Sequence, residues 1–394
     1  MRRVLTKIFN QTYTLHNSID WVQSGNEYFD RLEELINSSI YEIHLQTYIF
    51  SADSTGNKII EALIRASVRN VQVFIMVDAF GSQDLNSFTI MRMRNSGIHF
   101  KKFGEIFSKG RFHIGRRMHQ KITVIDGHAS IVGGINISDN YNSLPGKTAW
   151  LDFAVIMNGD ISQSLQYICR QRWAGRKFSY TSKKKLLKNS ENENKLFGST
   201  SIRFRRNDFI RNKNEIAISY REALRHAGKS ILIVGGYFLP GGRTRRLMKK
   251  AVQRGISITV LISEKSDVKI LVFARKYLYA WLIRSGINVF EYTPSNLHGK
   301  VIITDEKWTS IGSYDLNNLS TFSNIELNVD IKDAFFSENL SQHIHQIISN
   351  DCIKLTTDNM YRYKSVFSKF KMWISYRFVK TLFVLSLLLA GKRE

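Results

Sequence analysis

Short apolar runs and period-two alternations recur along this chain, separated by segments with a helical repeat, and the whole series is run through twice. The first pass predicts extended segments at 40–50, 71–78, 97–100, 121–126 and 152–157. The second predicts them at 230–239, 256–263, 286–289, 300–305 and 326–331. Helical repeats fall at 27–36 and 58–68, then at 215–225 and 244–254. Strands alternating with helices of about ten residues predict an α/β fold of two pseudo-symmetric repeats. Each repeat is expected to be a mixed, largely parallel sheet flanked by helices, the two packed as one bilobal unit.

The expected divisions are a first half over 1–178, a basic linker over 179–213, a second half over 214–355 and a tail over 356–394. The linker carries Lys183-Lys184-Lys185 and Ser190-Glu191-Asn192-Glu193-Asn194 with little apolar periodicity, which reads as a solvated tether. A Lys/Arg-rich insertion occupies 101–117 of the first half. In the tail, Phe370, Ile374, Phe378, Leu382, Leu385 and Leu389 recur at helical spacing. Lys364, Lys369, Lys371, Arg377, Lys380, Lys392 and Arg393 surround them, and Phe383, Val384, Leu387 and Leu388 broaden the stripe. A basic, apolar helix of this kind predicts contact with a membrane headgroup plane. The alternative is a helix docked on the protein's own core.

With 43% apolar and 23% charged residues, the 394-residue chain is globular rather than disordered. Its net charge of +24 implies a phosphate-rich partner, either nucleic acid or an anionic membrane. Cys169 and Cys352, both in stretches that read as amphipathic helix, are expected to be free thiols, and two cysteines exclude finger-type zinc sites. The start, Met1-Arg2-Arg3-Val4-Leu5, lacks the apolar core of a signal peptide, and no uninterrupted apolar run reaches about 18 residues. The expected location is therefore peripheral or monotopic, on the cytoplasmic side of the cell membrane.

One short pattern occurs in both passes. The first copy is His119-Gln120-Lys121, four residues, Asp126, six residues, Gly133-Gly134-Ile135-Asn136. The second is His298-Gly299-Lys300, four residues, Asp305, six residues, Gly312-Ser313-Tyr314-Asp315. One copy would arise by accident in roughly a few per cent of chains this long. Two in register mark a duplicated half-site.

Residues two apart on a strand share a face, so His119 pairs with Lys121 and His298 with Lys300. Asp126 and Asp305 have the opposite parity, and read as structural or orienting members of the motif. Two imidazoles and two ammonium groups suit a phosphodiester. The lysines supply positive charge to the phosphoryl oxygens, one imidazole attacks phosphorus, and the other protonates the departing alcohol. This chemistry calls for no metal and no cofactor. Gly133, Gly134, Gly312 and Ser313 are expected to let backbone amides and a hydroxyl approach the phosphate. Each histidine needs a carboxylate to fix its tautomer, and Asp152 and Glu326, at equivalent strand starts, are the candidates. Whether each serves its own half is left open. His343 and His345 diverge on a helix, and His113 and His128 read as spectators.

At these residues the chain resembles the phospholipase D superfamily, whose hallmark is the doubled motif, over about residues 17–355. It is most similar to bacterial cardiolipin synthases lacking amino-terminal transmembrane helices. The likeness extends to Gly25-Asn26-Glu27-Tyr28-Phe29-Asp30, Leu45-Gln46-Thr47-Tyr48-Ile49-Phe50, Gly133-Gly134-Ile135-Asn136-Ile137 and Gly236-Tyr237-Phe238-Leu239-Pro240. It implies metal-independent phosphatidyl transfer between two phosphatidylglycerol molecules, with His119 as nucleophile and His298 as acid and base. Asn136 and Asp315 then belong to the substrate-binding set. The family commonly has Asn at the place of Asp315 and Asp at that of Asn317, so the two look exchanged here. An ionised Asp315 would repel a phosphate unless it pairs with a lysine or binds a glycerol hydroxyl. Lipid hydrolysis or head-group exchange, a superfamily nuclease and an inactive lipid-binding scaffold are the competing readings. Nucleic acid is disfavoured as a partner because it gives the apolar tail nothing to do.

Overall fold

The computed structural model describes residues 12–105, 107–108, 111–112, 116–175, 198–208, 211, 213–317, 320, 324–358 and 365–391, without the side chains of 107–108, 111–112 and 383–391. Outside the described residues lie 1–5, His113, the runs 183–185 and 190–194, Lys364, Lys392 and Arg393, and the side chains of Phe383, Val384, Leu385, Leu387, Leu388 and Leu389.

The first half supplies β1 (Asn17–Gln23), α1 (Asn26–Asn37), β2 (Glu42–Thr47), α2 (Ser54–Val68), β3 (Gln72–Asp78), α3 (Ser87–Asn95) and β4 (His99–Phe103). The short β5 (Phe107–Ser108), β6 (Arg111–Phe112) and β7 (Arg117–Met118) follow, then β8 (Lys121–Ile125), β9 (Ala129–Gly133), β10 (Phe153–Gly159) and α4 (Asp160–Ala174). The second half begins with β11 (Ser201–Asp208), β12 (Lys213–Asn214), α5 (Glu215–His226), β13 (Ser230–Gly235), α6 (Gly242–Gln253), β14 (Ser257–Ser263) and α7 (Lys269–Arg284). It continues through β15 (Asn288–Tyr292), β16 (Lys300–Thr304), β17 (Trp308–Gly312), β18 (Asn324–Lys332), α8 (Ala334–Asp351), β19 (Cys352–Lys354) and α9 (Val366–Gly391).

Among these residues the strands form two large sheets of matching order. The first runs β1-β10-β9-β8-β2-β3-β4, and the second contains β11-β18-β17-β16-β13-β14-β15. The expectation of largely parallel sheets is corrected. Only β2/β3, β3/β4 and their counterparts β13/β14 and β14/β15 are parallel within these runs. The motif strands are antiparallel hairpins, β8 with β9 and β16 with β17. Turns this tight can only reverse the chain, whereas a parallel pair needs a crossover such as α2 or α6.

Alternation along each strand sorts side chains into three apolar layers. Phe29, Leu32, Ile59 and Leu63 of α1 and α2 cover one face of the first sheet, against Ile43 and Val73. Ile216, Tyr220, Met248 and Tyr279 cover the outer face of the second, against Ile231 and Ile233. Between the sheets, Val124 and Val155 meet Val301 and Val329, with Leu165 of α4 and Ile344 of α8 in the same layer. Each such side chain contributes about 1.5–3 kcal/mol on burial. Parting the halves would expose all of them, which exceeds the ~5–15 kcal/mol net stability of a typical domain. The halves are one folding unit.

Two expectations need revision, and the tail combines both of its readings. β11 lies within the stretch assigned to a tether, yet pairs with β18 from Ser201↔Lys332 to Asn207↔Glu326. Cys352 stands in β19 rather than in a helix, and both cysteines are free thiols. The tail does dock on the body: Val379 of α9 packs with Leu239, Ala274 and Leu278, and Tyr376 stacks on Tyr277 at 4.8 Å. Its other face stays exposed, including Phe367 (77%), Phe370 (56%) and Phe378 (52%).

Candidate active site

The two motifs enter the seam between the halves by crossing over. The backbone N–H groups of His119 and Gln120 donate to the carbonyl of Ile325 at 2.9 and 3.0 Å. Those of His298 and Gly299 donate to the carbonyl of Leu151 at 2.7 and 3.1 Å. Each histidine thus hangs from the residue preceding the other half's candidate carboxylate. His119 Nδ1 lies 2.9 Å from Glu326 Oε2, and His298 Nδ1 lies 2.7 Å from Asp152 Oδ2. The pairing that the sequence left open is between halves. It commits both Nδ1 atoms and leaves both Nε2 atoms as the reactive positions.

Each lysine reaches back along its own strand. Lys121 Nζ donates to the carbonyl of His119 at 2.7 Å, and Lys300 Nζ donates to that of His298. Both are buried, and aromatic rings cover them: Tyr48 is 5.3 Å from Lys121 Nζ and Tyr237 is 5.7 Å from Lys300 Nζ. The two tyrosines occupy equivalent places in the two passes. Aligning LQTYIF with VGGYFL would have found them.

The electrostatics are not symmetric. Burial pushes Asp152 up to about 6, although Lys300 and the N–H of Phe153 oppose it. Burial acts on Glu326 in the same direction, but His119, Lys121 and Ser313 overcome it and hold that carboxyl below its usual range. Burial, then Lys300, Lys121 and His119, depress His298 well below an ordinary imidazole. Burial, with Lys300 adding to it, brings Lys121 down to about 7. These mutual effects place both imidazoles and both ammonium groups within one electrostatic neighbourhood.

The small residues do not line a phosphate cradle as expected. A Cβ on Gly134 would lie 2.4 Å from Asp152 Oδ1, and one on Gly133 would lie 2.5 Å from the Ala154 Cβ. A Cβ on Gly312 would lie 2.3 Å from the Leu327 carbonyl oxygen. These glycines make room for the neighbouring strand and for the carboxylate. The amides of Gly134 and Ser313 donate to the carbonyls of Phe153 and Leu327 at 3.2 and 3.1 Å. The Ser313 hydroxyl donates to Glu326 at 2.6 Å, and Asn324 Nδ2 supports the other oxygen at 3.0 Å. Asn324 was not singled out by sequence.

Asp126 and Asp305 complete the motif away from the pocket, as structural members and not among the side chains that meet substrate. Each sits in a turn at positive φ (53° and 56°), at the far end of its strand, roughly 15 Å from the lysine. Asp126 accepts from the N–H groups of Ile40, Tyr41 and Glu42 at 2.7–2.8 Å. Asp305 accepts from those of Gly228, Lys229 and Ser230 at 2.7–2.9 Å. They fasten the start of β2 and of β13.

Asn136 and Asp315 hold equivalent places. Asn136 Nδ2 donates to the Tyr141 hydroxyl at 2.8 Å, and its Oδ1 accepts from the N–H of Ile49 at 3.1 Å. Asp315 Oδ1 lies 3.7 Å from Lys300 Nζ. Among the described residues, no group of three or more His, Cys, Asp or Glu side chains is placed to hold a metal ion.

Comparison with known proteins agrees with this geometry. The family model described as "Cardiolipin synthase, PLD-like domain" matches residues 32–173 and again 220–351. Cardiolipin synthase B of Salmonella typhi is 30% identical over 366 residues, covering 92% of this chain and 88% of that protein. Cardiolipin synthase B of Escherichia coli is 30% identical over 339 residues, covering 85% and 81%. The crystal structure of phosphatidylserine synthase from Haemophilus influenzae shares the fold, with a TM-score of 0.70 at 13% identity, covering 98% of this chain and 99% of that one.

Proposed function

The chain belongs to the cardiolipin synthase family of phospholipase D-like proteins, and on that premise we propose that it joins two phosphatidylglycerol molecules into cardiolipin, releasing glycerol. The observation that carries this reading is the reciprocal pairing of His119 with Glu326 and His298 with Asp152 across the seam. With both Nδ1 atoms engaged, one Nε2 attacks the donor phosphorus and forms a P–N bond as the P–O bond to glycerol breaks. The other imidazole hands its proton to that glycerol oxygen. It then takes the proton from a hydroxyl of the acceptor lipid, whose oxygen displaces the histidine. Lys121 and Lys300 balance the charge on the phosphoryl oxygens throughout.

Resemblance assigns the attack to His119. The electrostatics favour the reverse order, because burial and its cationic neighbours hold His298 neutral, the form with a free Nε2 lone pair. Enzyme denatured at neutral pH during turnover, digested and searched for a phosphatidyl-histidine adduct, decides: the adduct is expected on His298, and an adduct on His119 restores the first order.

The membrane is reached through α9. Among the described residues no helix is long and apolar enough to cross a bilayer. The exposed Phe367, Phe370, Trp373, Ile374 and Phe378 face away from the body, with Lys369, Lys371, Arg377 and Lys380 on the same helix. This suits peripheral attachment to an anionic leaflet, on the cytoplasmic side. Purified protein incubated with phosphatidylglycerol vesicles and a chelator should yield cardiolipin and glycerol by mass spectrometry. Phosphatidic acid as sole product would make the protein a hydrolase instead, and cleavage of single-stranded DNA a nuclease.

A further inference from the structure

Asp315 is a buried carboxyl group of the pocket that the reaction above leaves unused. Asp315 is 3% exposed, 3.7 Å from Lys300 Nζ through Oδ1, and the same oxygen accepts from the N–H of Tyr237 at 3.4 Å. Its counterpart Asn136 is uncharged and tied to Tyr141 and Ile49. The substitution unbalances the site. Glu326 and Asp152 already pair with His119 and His298, and Asp315 adds a further carboxyl group, which faces Lys300. A phosphodiester brings a further negative charge to the ammonium group that Asp315 already faces.

We propose that Asp315 is ionised against Lys300 in the empty pocket and takes up a proton as the lipid phosphodiester displaces it from that ammonium group. This rests on the reading that the pocket binds a phosphodiester. The neutral acid can then donate its O–H to a phosphoryl oxygen, where the carboxylate would repel it. Headgroup binding thereby becomes proton-linked through the second half alone.

The groups facing Asp315 permit this. Lys300 and His119 favour its charged form, while Glu326 opposes it and burial opposes it most. Lys121 also lies within its field. The surrounding tyrosines, Tyr237, Tyr141 and Tyr220, are all held well above their ordinary range by burial, so they stay neutral. Lys121 and the imidazoles can exchange protons on binding as well. The informative quantity is therefore the difference between the wild type and D315N, an isosteric change.

The experiment is titration calorimetry of the whole protein with dimethyl phosphate, a diester that carries one fixed charge, in buffers of differing ionisation enthalpy at about pH 8. The wild type is expected to take up more protons than D315N, by about one per site. Wild-type affinity should also fall more steeply with rising pH than that of D315N, by up to tenfold more per pH unit. Equal uptake with parallel pH profiles would overturn the inference while leaving the cardiolipin assay untouched. If D315N fails to fold, D315S takes its place in the same comparison, and equal uptake again overturns the proposal. Failure of the wild type to bind the diester would remove both this inference and the reading beneath it, whereas binding without cardiolipin formation would count against that reading only.

Discussion

His119 and His298 occupy equivalent places in the two halves, yet their surroundings differ in kind. His119 is partly exposed, and its partner Glu326 is also held by Ser313 and Asn324. His298 is buried among Tyr141, Trp150 and Tyr237, and its partner Asp152 is pushed towards holding a proton. A duplicated motif therefore supplies two copies of the same side chains but not two copies of the same acid. Desolvation on one side and extra hydrogen bonds on the other set the two imidazoles apart, as a two-step transfer requires.

The strongest way to break this comparison is to delete either imidazole. H119A and H298A should each lower cardiolipin formation by at least about 10⁴-fold while vesicle binding persists. Near-normal turnover by either variant would end the two-histidine mechanism. The carboxylates come next. E326Q and D152N are each expected to cost on the order of 10²–10⁴-fold, since the amide can no longer hold the imidazole's tautomer or its charge. Equal losses would show that the asymmetry does not reach the chemistry; a greater loss in E326Q would show that it does.

A smaller effect is expected at the docked tail. Replacing Phe370 and Phe378 together by Ser should weaken binding to phosphatidylglycerol vesicles by roughly tenfold or more, since each aromatic ring carries about 1.5–3 kcal/mol of apolar burial. Unchanged sedimentation with vesicles would move the membrane contact elsewhere. The mildest effect on turnover belongs to the motif aspartates. D126A strands three backbone N–H groups and should cost about 1–3 kcal/mol in urea unfolding, with turnover per folded molecule unchanged. A large loss of turnover in fully folded D126A would return Asp126 to the active site.

Much of the half-site was legible because its spacing is a local property. The H-x-K-x4-D series and the small residues after it recur at fixed offsets, and Asp152 and Glu326 each open the next predicted strand of their pass. Legibility failed where burial is achieved by pairing charges rather than by apolar side chains. β11 reads as a polar tether because Arg203 and Arg205 dominate it, yet both guanidinium groups bond Asp330 of β18. The hairpin partners β9 and β17 were missed for another reason: they are short, and both faces are covered, so no alternation marks them.

The amino-acid order by itself determined that this protein has two half-sites, which side chains each contributes, and the basic, apolar character of its tail. Only the tertiary structure decided that each carboxylate serves the opposite histidine, that the motif aspartates fasten neighbouring strands, and that one imidazole is drier than the other. Those are outcomes of strand pairing and burial between segments some 150–200 residues apart, such as Asp152 with His298 and His119 with Glu326. A local pattern fixes which group a residue offers; the distance, solvent and charge around that group come from the rest of the fold.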